Sequence, residues 1–215
     1  MFEKSRFAAE TGAALILSCN GARVLHRLGF SFERARGCNV KSWDTVDGIT
    51  LTGLSSLNLE NAETQFGAPL MSVHRVDLHN ELLRLASTKE HTGGVGEVTL
   101  RLNSRVVGAS AEEGRVELAD GTVHHADLIV AADGVHSILR NVVLGCEAPA
   151  ASVTGLSAFR FLIPTVDVLE DPLLVQFLAG KNEGPTVLAD TEDVVQDRHI
   201  VWYGCQGWVT YVGIL

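Results

Sequence analysis

Asp127-Leu-Ile-Val-Ala-Ala-Asp-Gly-Val-His-Ser-Ile-Leu-Arg140 is the stretch on which the reading of the fold turns. Residues 128–132 form a short, unbroken apolar run, the pattern of a strand buried on both faces of a parallel sheet. The run ends in Asp133-Gly134 and leads into a helix expected around residues 137–143. A strand, a glycine turn and a helix start bring backbone N–H groups and a positive dipole end to one point, where a phosphate or ribose can sit. Gly134 lacks a Cβ, so a ligand can come close to the backbone there. The same residues would equally make an ordinary strand-to-helix turn of an α/β fold, and the stretch alone leaves both readings open.

Upstream, the apolar period is two. Val98, Leu100 and Leu102 alternate with polar residues, as do Val116 and Leu118 before Asp120-Gly121, with Val123 resuming after it. Asp-Gly between alternating runs predicts a hairpin. Residues 76–87 read as an amphipathic helix with Leu78, Leu82, Leu83, Leu85 and Ala86 near one face and Asp77 in its first turn, where the dipole favours a carboxylate. A helix is also expected over residues 21–28, capped by Asn20 and ended by Gly29. Residues 37–60 suggest weak strands or an extended excursion. Residues 157–163, 173–178 and 199–203 read as strands of a second, more antiparallel unit.

The chain has 215 residues, 46% of them hydrophobic, with 21 glycines and a net charge of −9. Charged residues are 20%, against about 25% in an average globular domain. Disorder, collagen and a disulfide scaffold are excluded, and the composition resembles the interior of a larger fold. The acidic balance argues against nucleic acid as a partner. Residues 1–40 hold six basic and three acidic residues, so that end is where an anionic ligand is expected. No apolar run reaches the length of a membrane span, and the charged start does not suit a signal peptide. Cys19, Cys38, Cys146 and Cys205 are scattered, which suggests reduced thiols in a cytoplasmic protein. Neither His74 and His79 nor His124 and His125 have the spacing of a metal pair, so no metal is expected. Gly93-Gly94-Val95-Gly96 follows a helix and precedes a strand, the reverse of a phosphate loop, and reads as a connector. No G-x-S-x-G or G-K-[ST] supports hydrolase or NTPase chemistry. Arg75 opens its helix at the end where the dipole disfavours a cation, which an anionic ligand would explain and a surface arginine would not need to.

In order along the chain, these segments resemble the FAD-dependent aromatic-ring monooxygenases, the group of salicylate hydroxylase and para-hydroxybenzoate hydroxylase. Phe2-Glu3-Lys4 is similar to the end of the strand whose acidic residue holds the adenosine ribose. Gly12-Ala13-Ala14 followed by Ser18-Cys19-Asn20-Gly21-Ala22 is similar to the segment beside the flavin. His74-Arg75-Val-Asp-Leu-His79 resembles the helix start whose arginine contacts the cofactor. Residues 132–140 match the "aDG…S.lR" motif, which serves FAD and NAD(P)H. Residues 157–164 and 199–205 resemble the strands that carry an active-site arginine and tyrosine, here Arg160 and Tyr203.

The resemblance implies Glu3, Ala14, Arg75, Asp133 and Gly134 as FAD contacts. It implies two catalytic residues for a small aromatic, phenolic or polyketide-like substrate, Arg160 to orient or charge-stabilise a phenolate or carboxylate and Tyr203 to hydrogen-bond the substrate, with NAD(P)H and O₂ as co-substrates. The implied fold is α/β: an incomplete Rossmann-like parallel sheet for FAD in residues 1–36 and 72–150, and a mixed, largely antiparallel substrate sheet in residues 37–71 and 151–215. The family's G-x-G-x-x-G turn, which precedes the acidic residue, and its later "GD" segment are not found. The reading is therefore of a chain truncated at both ends. The alternative is a non-catalytic remnant unable to hold FAD.

Overall fold

A computed structural model describes residues 1–6, 13–87, 98–149, 152, 155, 157–178, 184–192, 198–205 and 207–214. In chain order the elements are β1 (Ala14–Leu17), α1 (Cys19–Arg27), β2 (Cys38–Asn39), β3 (Ser42–Asp47), β4 (Gly53–Asn58), α2 (Ala62–Phe66), β5 (Met71–His74) and α3 (Arg75–Ser87). They continue with β6 (Val106–Ser110), β7 (Arg115–Leu118), β8 (Val123–His125), α4 (Arg140–Leu144), β9 (Ala158–Pro164), α5 (Thr165–Glu170), α6 (Pro172–Leu178), β10 (Thr186–Ala189), β11 (His199–Cys205) and β12 (Trp208–Ile214). The fold is mixed α/β with several sheets, and the chain divides into two compact units. The connector expected at 93–96 lies outside the described residues.

The first unit holds residues 1–10 and 97–154. Its start runs parallel to residues 99–101: the Met1 amine donates to the Thr99 carbonyl at 2.8 Å, and Arg101 N and Glu3 N each donate across at 2.9 Å. Among the described residues here, Phe2 and Arg101 alone form a bridge, so the strand expected from Val98, Leu100 and Leu102 is no more than this. β6, β7 and β8 form an antiparallel sheet. Its β7–β8 turn is the expected hairpin, with Gly121 at φ +83° and the Asp120 carboxylate accepting from Thr122 N at 2.9 Å. Val116 and Leu118 are buried, as their alternation required.

Residues 128–132 depart from the expectation. They form no strand, and Leu128 and Val130 are 79% and 77% exposed. A strand buried on both faces needs a hydrogen-bonded neighbour on each side. Among the described residues of this unit the only parallel bridge is Phe2–Arg101, so the apolar run has no ladder to join. The helix that follows begins only at Arg140.

The second unit holds residues 11–96 and 155–215. One sheet is antiparallel in the order β1–β5–β2, and the other runs β4–β3–β10–β11–β12–β9 with a single parallel pairing, β3 with β10. α3 confirms the amphipathic reading and buries Leu85 against Phe30, Ala35, Met71 and Val73. Leu82, expected on that face, is exposed, and Glu81 is buried instead. α1 begins two residues before the expected start, with Ser18 at the cap position and its hydroxyl on the Asn20 side chain. Gly29, at φ +80°, ends it as expected.

Residues 37–60 supply true strands, β2, β3 and β4. Residues 173–178 do not: they lie in α6. Pro172 fixes the first helical φ, and the Asp171 carboxylate accepts from Leu173 N at 2.8 Å. Two faces organise the larger sheet. Trp202, Leu188 and Ile163 pack against Val168 and Leu174 of α5 and α6. Val201, Tyr203 and Cys205 pack against Ala14 and Ile16 of β1.

Candidate functional site

In the first unit the candidates are Glu3, Asp133 and Gly134. Glu3 is half-buried, and its Oε1 accepts from Ser5 N at 2.7 Å. The Asp133 carboxylate accepts from Ser137 Oγ at 2.6 Å, Ile138 N at 2.9 Å and Leu139 N at 3.3 Å. It thus caps the turn that leads to α4, and the Ser137 hydroxyl does most to hold it below the usual carboxylate range. Gly134 has φ +80°, and a Cβ built on it would meet nothing within 4 Å. The backbone there faces open space. Arg140 reinforces the turn by donating to the Val135 carbonyl at 2.7 Å. Ser137 is a participant whose part the sequence reading had not assigned, although it stands in the quoted motif.

In the second unit the candidates are Ala14, Arg75, Arg160 and Tyr203, and the fold ties all four to β1 or to the face that meets it. Ala14 opens β1 opposite His74 of β5. Arg75 N donates to the Ala13 carbonyl at 2.7 Å, which seats the first residue of α3 against that strand, and its side chain is exposed. Tyr203 is only 7% exposed, and its hydroxyl donates to the Ala14 carbonyl at 2.7 Å. Burial pushes this phenol up to about 12, with the charge of Arg160 pulling the other way. Arg160 is exposed on β9, the edge strand, and the register runs from Arg160 through Val212 to Val201. Residues in register share a face, and so do Val201 and Tyr203, two apart on β11. Arg160 and Tyr203 therefore lie on the face that meets β1.

The Arg160 guanidinium on this face is suited to holding a phenolate or carboxylate by charge and hydrogen bond, beside a neutral phenol. Because the Tyr203 proton is already directed at Ala14, its oxygen lone pairs are what remain for a second partner. A groove of about 740 Å³ between α1 and α2 is lined by Ser18, Cys19 and Asn20, which belong to the segment likened to the one beside the flavin, and by Arg23, Phe66 and Leu70 among others, but by none of Glu3, Ala14, Arg75, Asp133, Gly134, Arg160 and Tyr203. Among the described residues, no three His, Cys, Asp or Glu side chains come together as a metal site, and no helix is long and apolar enough to cross a membrane. None of the four cysteines is in a disulfide.

No family model matches the sequence. Individual proteins do. The chain is 34% identical over 206 residues to the FAD-dependent monooxygenase phomE' of Diaporthe leptostromiformis, covering 96% of this chain and 50% of that protein. It is 33% identical over 232 residues to the hispidin-3-hydroxylase of Neonothopanus nambi, covering all of this chain and 51% of the relative. Among solved structures, Klebsiella pneumoniae HpxO complexed with FAD and uric acid superposes with a TM-score of 0.75 at 19% identity, over 100% of this chain and 49% of that one. The chain spans about half the length of the relatives it matches. Over the half of their length that it spans, the chain is similar in sequence to FAD-dependent monooxygenases and hydroxylases, and it shares the fold of the corresponding half of the FAD-bound structure.

Proposed function

We propose that the protein carrying this chain is an FAD-dependent monooxygenase that hydroxylates a small aromatic or phenolic substrate with NAD(P)H and O₂. The observation that carries this reading is the 34% identity to an FAD-dependent monooxygenase over 96% of the chain. The residues present suit the cofactor. Gly134 presents bare backbone to open space, where a ligand can approach it closely. Glu3 bonds a backbone amide through one carboxylate oxygen, and a carboxylate has further lone pairs for ribose hydroxyls. FAD, when bound, supplies the chemistry that activates O₂ and accepts electrons from NAD(P)H.

The chain's own residues bind and orient. Glu3 and the Asp133-Gly134 turn hold the ribose and phosphate parts of FAD, and Ala14 and Arg75 contact it further along. Arg160 attracts and aligns an anionic or phenolic ring. Tyr203, neutral throughout the working pH range, accepts a hydrogen bond from the substrate while holding the Ala14 carbonyl. Residues 1–36 and 72–150 form the FAD-binding part and residues 37–71 and 151–215 the substrate part. In a protein of the relatives' length, residues 128–132 pair as an inner strand of a Rossmann-like parallel sheet, which would bury the apolar run exposed here. Four cysteines outside any disulfide suit a cytoplasmic location.

The test is a titration of the purified chain with FAD, followed by flavin absorbance and the shift in thermal midpoint. The expected result is a yellow protein that melts later with FAD and oxidises NAD(P)H faster with 4-hydroxybenzoate or a related phenol. Asp133→Ala should weaken FAD binding at least tenfold. A second reading, a non-catalytic protein that holds no FAD, draws on one observation: the Asp133 carboxylate already accepts three bonds from its own loop. A colourless protein with an unmoved midpoint would decide for it.

A further inference from the structure

Ser72 is 1% exposed in the middle of β5, with Ile16 and Cys38 opposite it on the two flanking strands. A buried hydroxyl that merely fills space is a cost, because it gives up water without gaining a partner. This one leaves its own sheet and donates to the Gly204 carbonyl of β11 at 3.0 Å. The adjacent residue, Tyr203, donates in the opposite direction, from β11 to the Ala14 carbonyl of β1 at 2.7 Å. Neighbouring residues of one strand are thus bonded to two strands of the other sheet, once as acceptor and once as donor.

The place of this pair in the topology explains why it is needed. β10 stops at Thr186, opposite Trp202, so residues 203–205 extend beyond their neighbour on that side. What packs there is Ala14, Ile16, Val201, Tyr203 and Cys205. Apolar packing of this kind is non-directional and tolerates a slide of one strand over the other. Two buried hydrogen bonds of opposite sense do not, since any slide leaves a buried carbonyl or hydroxyl without a partner.

We propose that Ser72 is a positioning residue which, together with Tyr203, fixes how far β11 can slide over β1. It thereby sets the placing of the Arg160 and Tyr203 face relative to Ala14. The kinetic part of this inference rests on the reading under Proposed function; the structural part does not. Catalysis is sensitive to such placing, because a misplacement of about 1 Å can cost on the order of a hundredfold in rate.

The experiment compares Ser72→Ala, Tyr203→Phe and the double variant, with Ser72→Thr as the conservative replacement. Urea unfolding followed by tryptophan fluorescence needs no cofactor. If the two bonds act as one device, each single change lowers the folding constant about tenfold, and the double change falls well short of the product of the two. Penalties that multiply in full would overturn the coupling. In the FAD-loaded protein, Ser72→Ala is expected to keep FAD affinity within about twofold. The KM for the aromatic substrate and the share of NAD(P)H oxidation in which O₂ is reduced to hydrogen peroxide instead of hydroxylating the substrate should rise several-fold, and Ser72→Thr should restore both. A folded Ser72→Ala with the parent's KM and peroxide yield would overturn the positioning role. A parent protein that takes up no FAD would sink the proposed function instead, and the unfolding cycle would then decide the inference alone.

Discussion

Glu81 shows how much one side chain can do in this chain. It is 4% exposed on α3, yet its carboxylate accepts from Arg84 at 2.8 and 2.9 Å, from Ser31 N at 3.1 Å and from Arg34 at 3.2 Å. These bonds, that from Arg84 foremost, draw its carboxyl down to about 2. Since the folded value lies below the ordinary 4.5, the stabilisation is complete above that pH and is lost as pH falls toward 2. Both guanidinium partners reach solvent, so its size is discounted to about 2 kcal/mol. Glu81→Gln should therefore lower stability by about that amount at pH 7, and the difference from the parent should close between pH 5 and 2 in urea titrations. Tyr203 gives the converse case: with the phenol pushed up to about 12, no tyrosinate absorbance from it should appear below pH 11. The sequence marked Tyr203 through its resemblance to a family strand and could not reveal the Ala14 bond, which joins residues 189 positions apart. Glu81 and Ser72 escaped notice for a related reason. A buried polar residue carries no sequence signature when its partners come from distant segments.

At the scale of elements, local signals were legible and pairings were not. The 120–122 turn declared itself because Asp-Gly suits a positive φ, and α3 because its apolar spacing is helical. The apolar run of α6 is compatible with strand or helix, and Pro172 and Asp171 settled it. β10 gave no clear signal, yet it occupies the centre of the larger sheet, held there by a parallel pairing to β3. The approach of these strands is limiting at Gly184, where a Cβ would stand 1.8 Å from the Ser42 carbonyl oxygen. Gly184→Ala should thus force β10 away from β3 and cost about 2 kcal/mol or more, read as a lower urea midpoint with a blunted tryptophan signal. By contrast, an alanine at Gly207, where φ is +79° and a Cβ would meet nothing within 4 Å, should cost only the backbone strain of about 1 kcal/mol.

For the whole molecule, the net charge of −9 and the exposed apolar residues pull against each other. Leu128, Val130, Val135 and Val143 are all more than 60% exposed within one unit. Such a concentration of apolar surface is normally covered. The chain should bind a hydrophobic dye and self-associate at high salt, where repulsion between its negative charges is screened. Leu128→Lys with Val130→Glu should reduce both without lowering the melting midpoint; a large loss of stability would mean those residues are packed. The order of strands has a last consequence, for how the protein is made. Among the described strands, β9 pairs with β12, which follows it in the chain by some fifty residues and comes after β10 and β11. During synthesis, the arginine-bearing edge of the larger sheet must wait for residues 208–214 before it has a partner. A chain stopped after Gly207 should be cut rapidly by trypsin after Arg160, whereas the longer chain should resist, a difference visible in a pulse of protease on ribosome-bound or purified material.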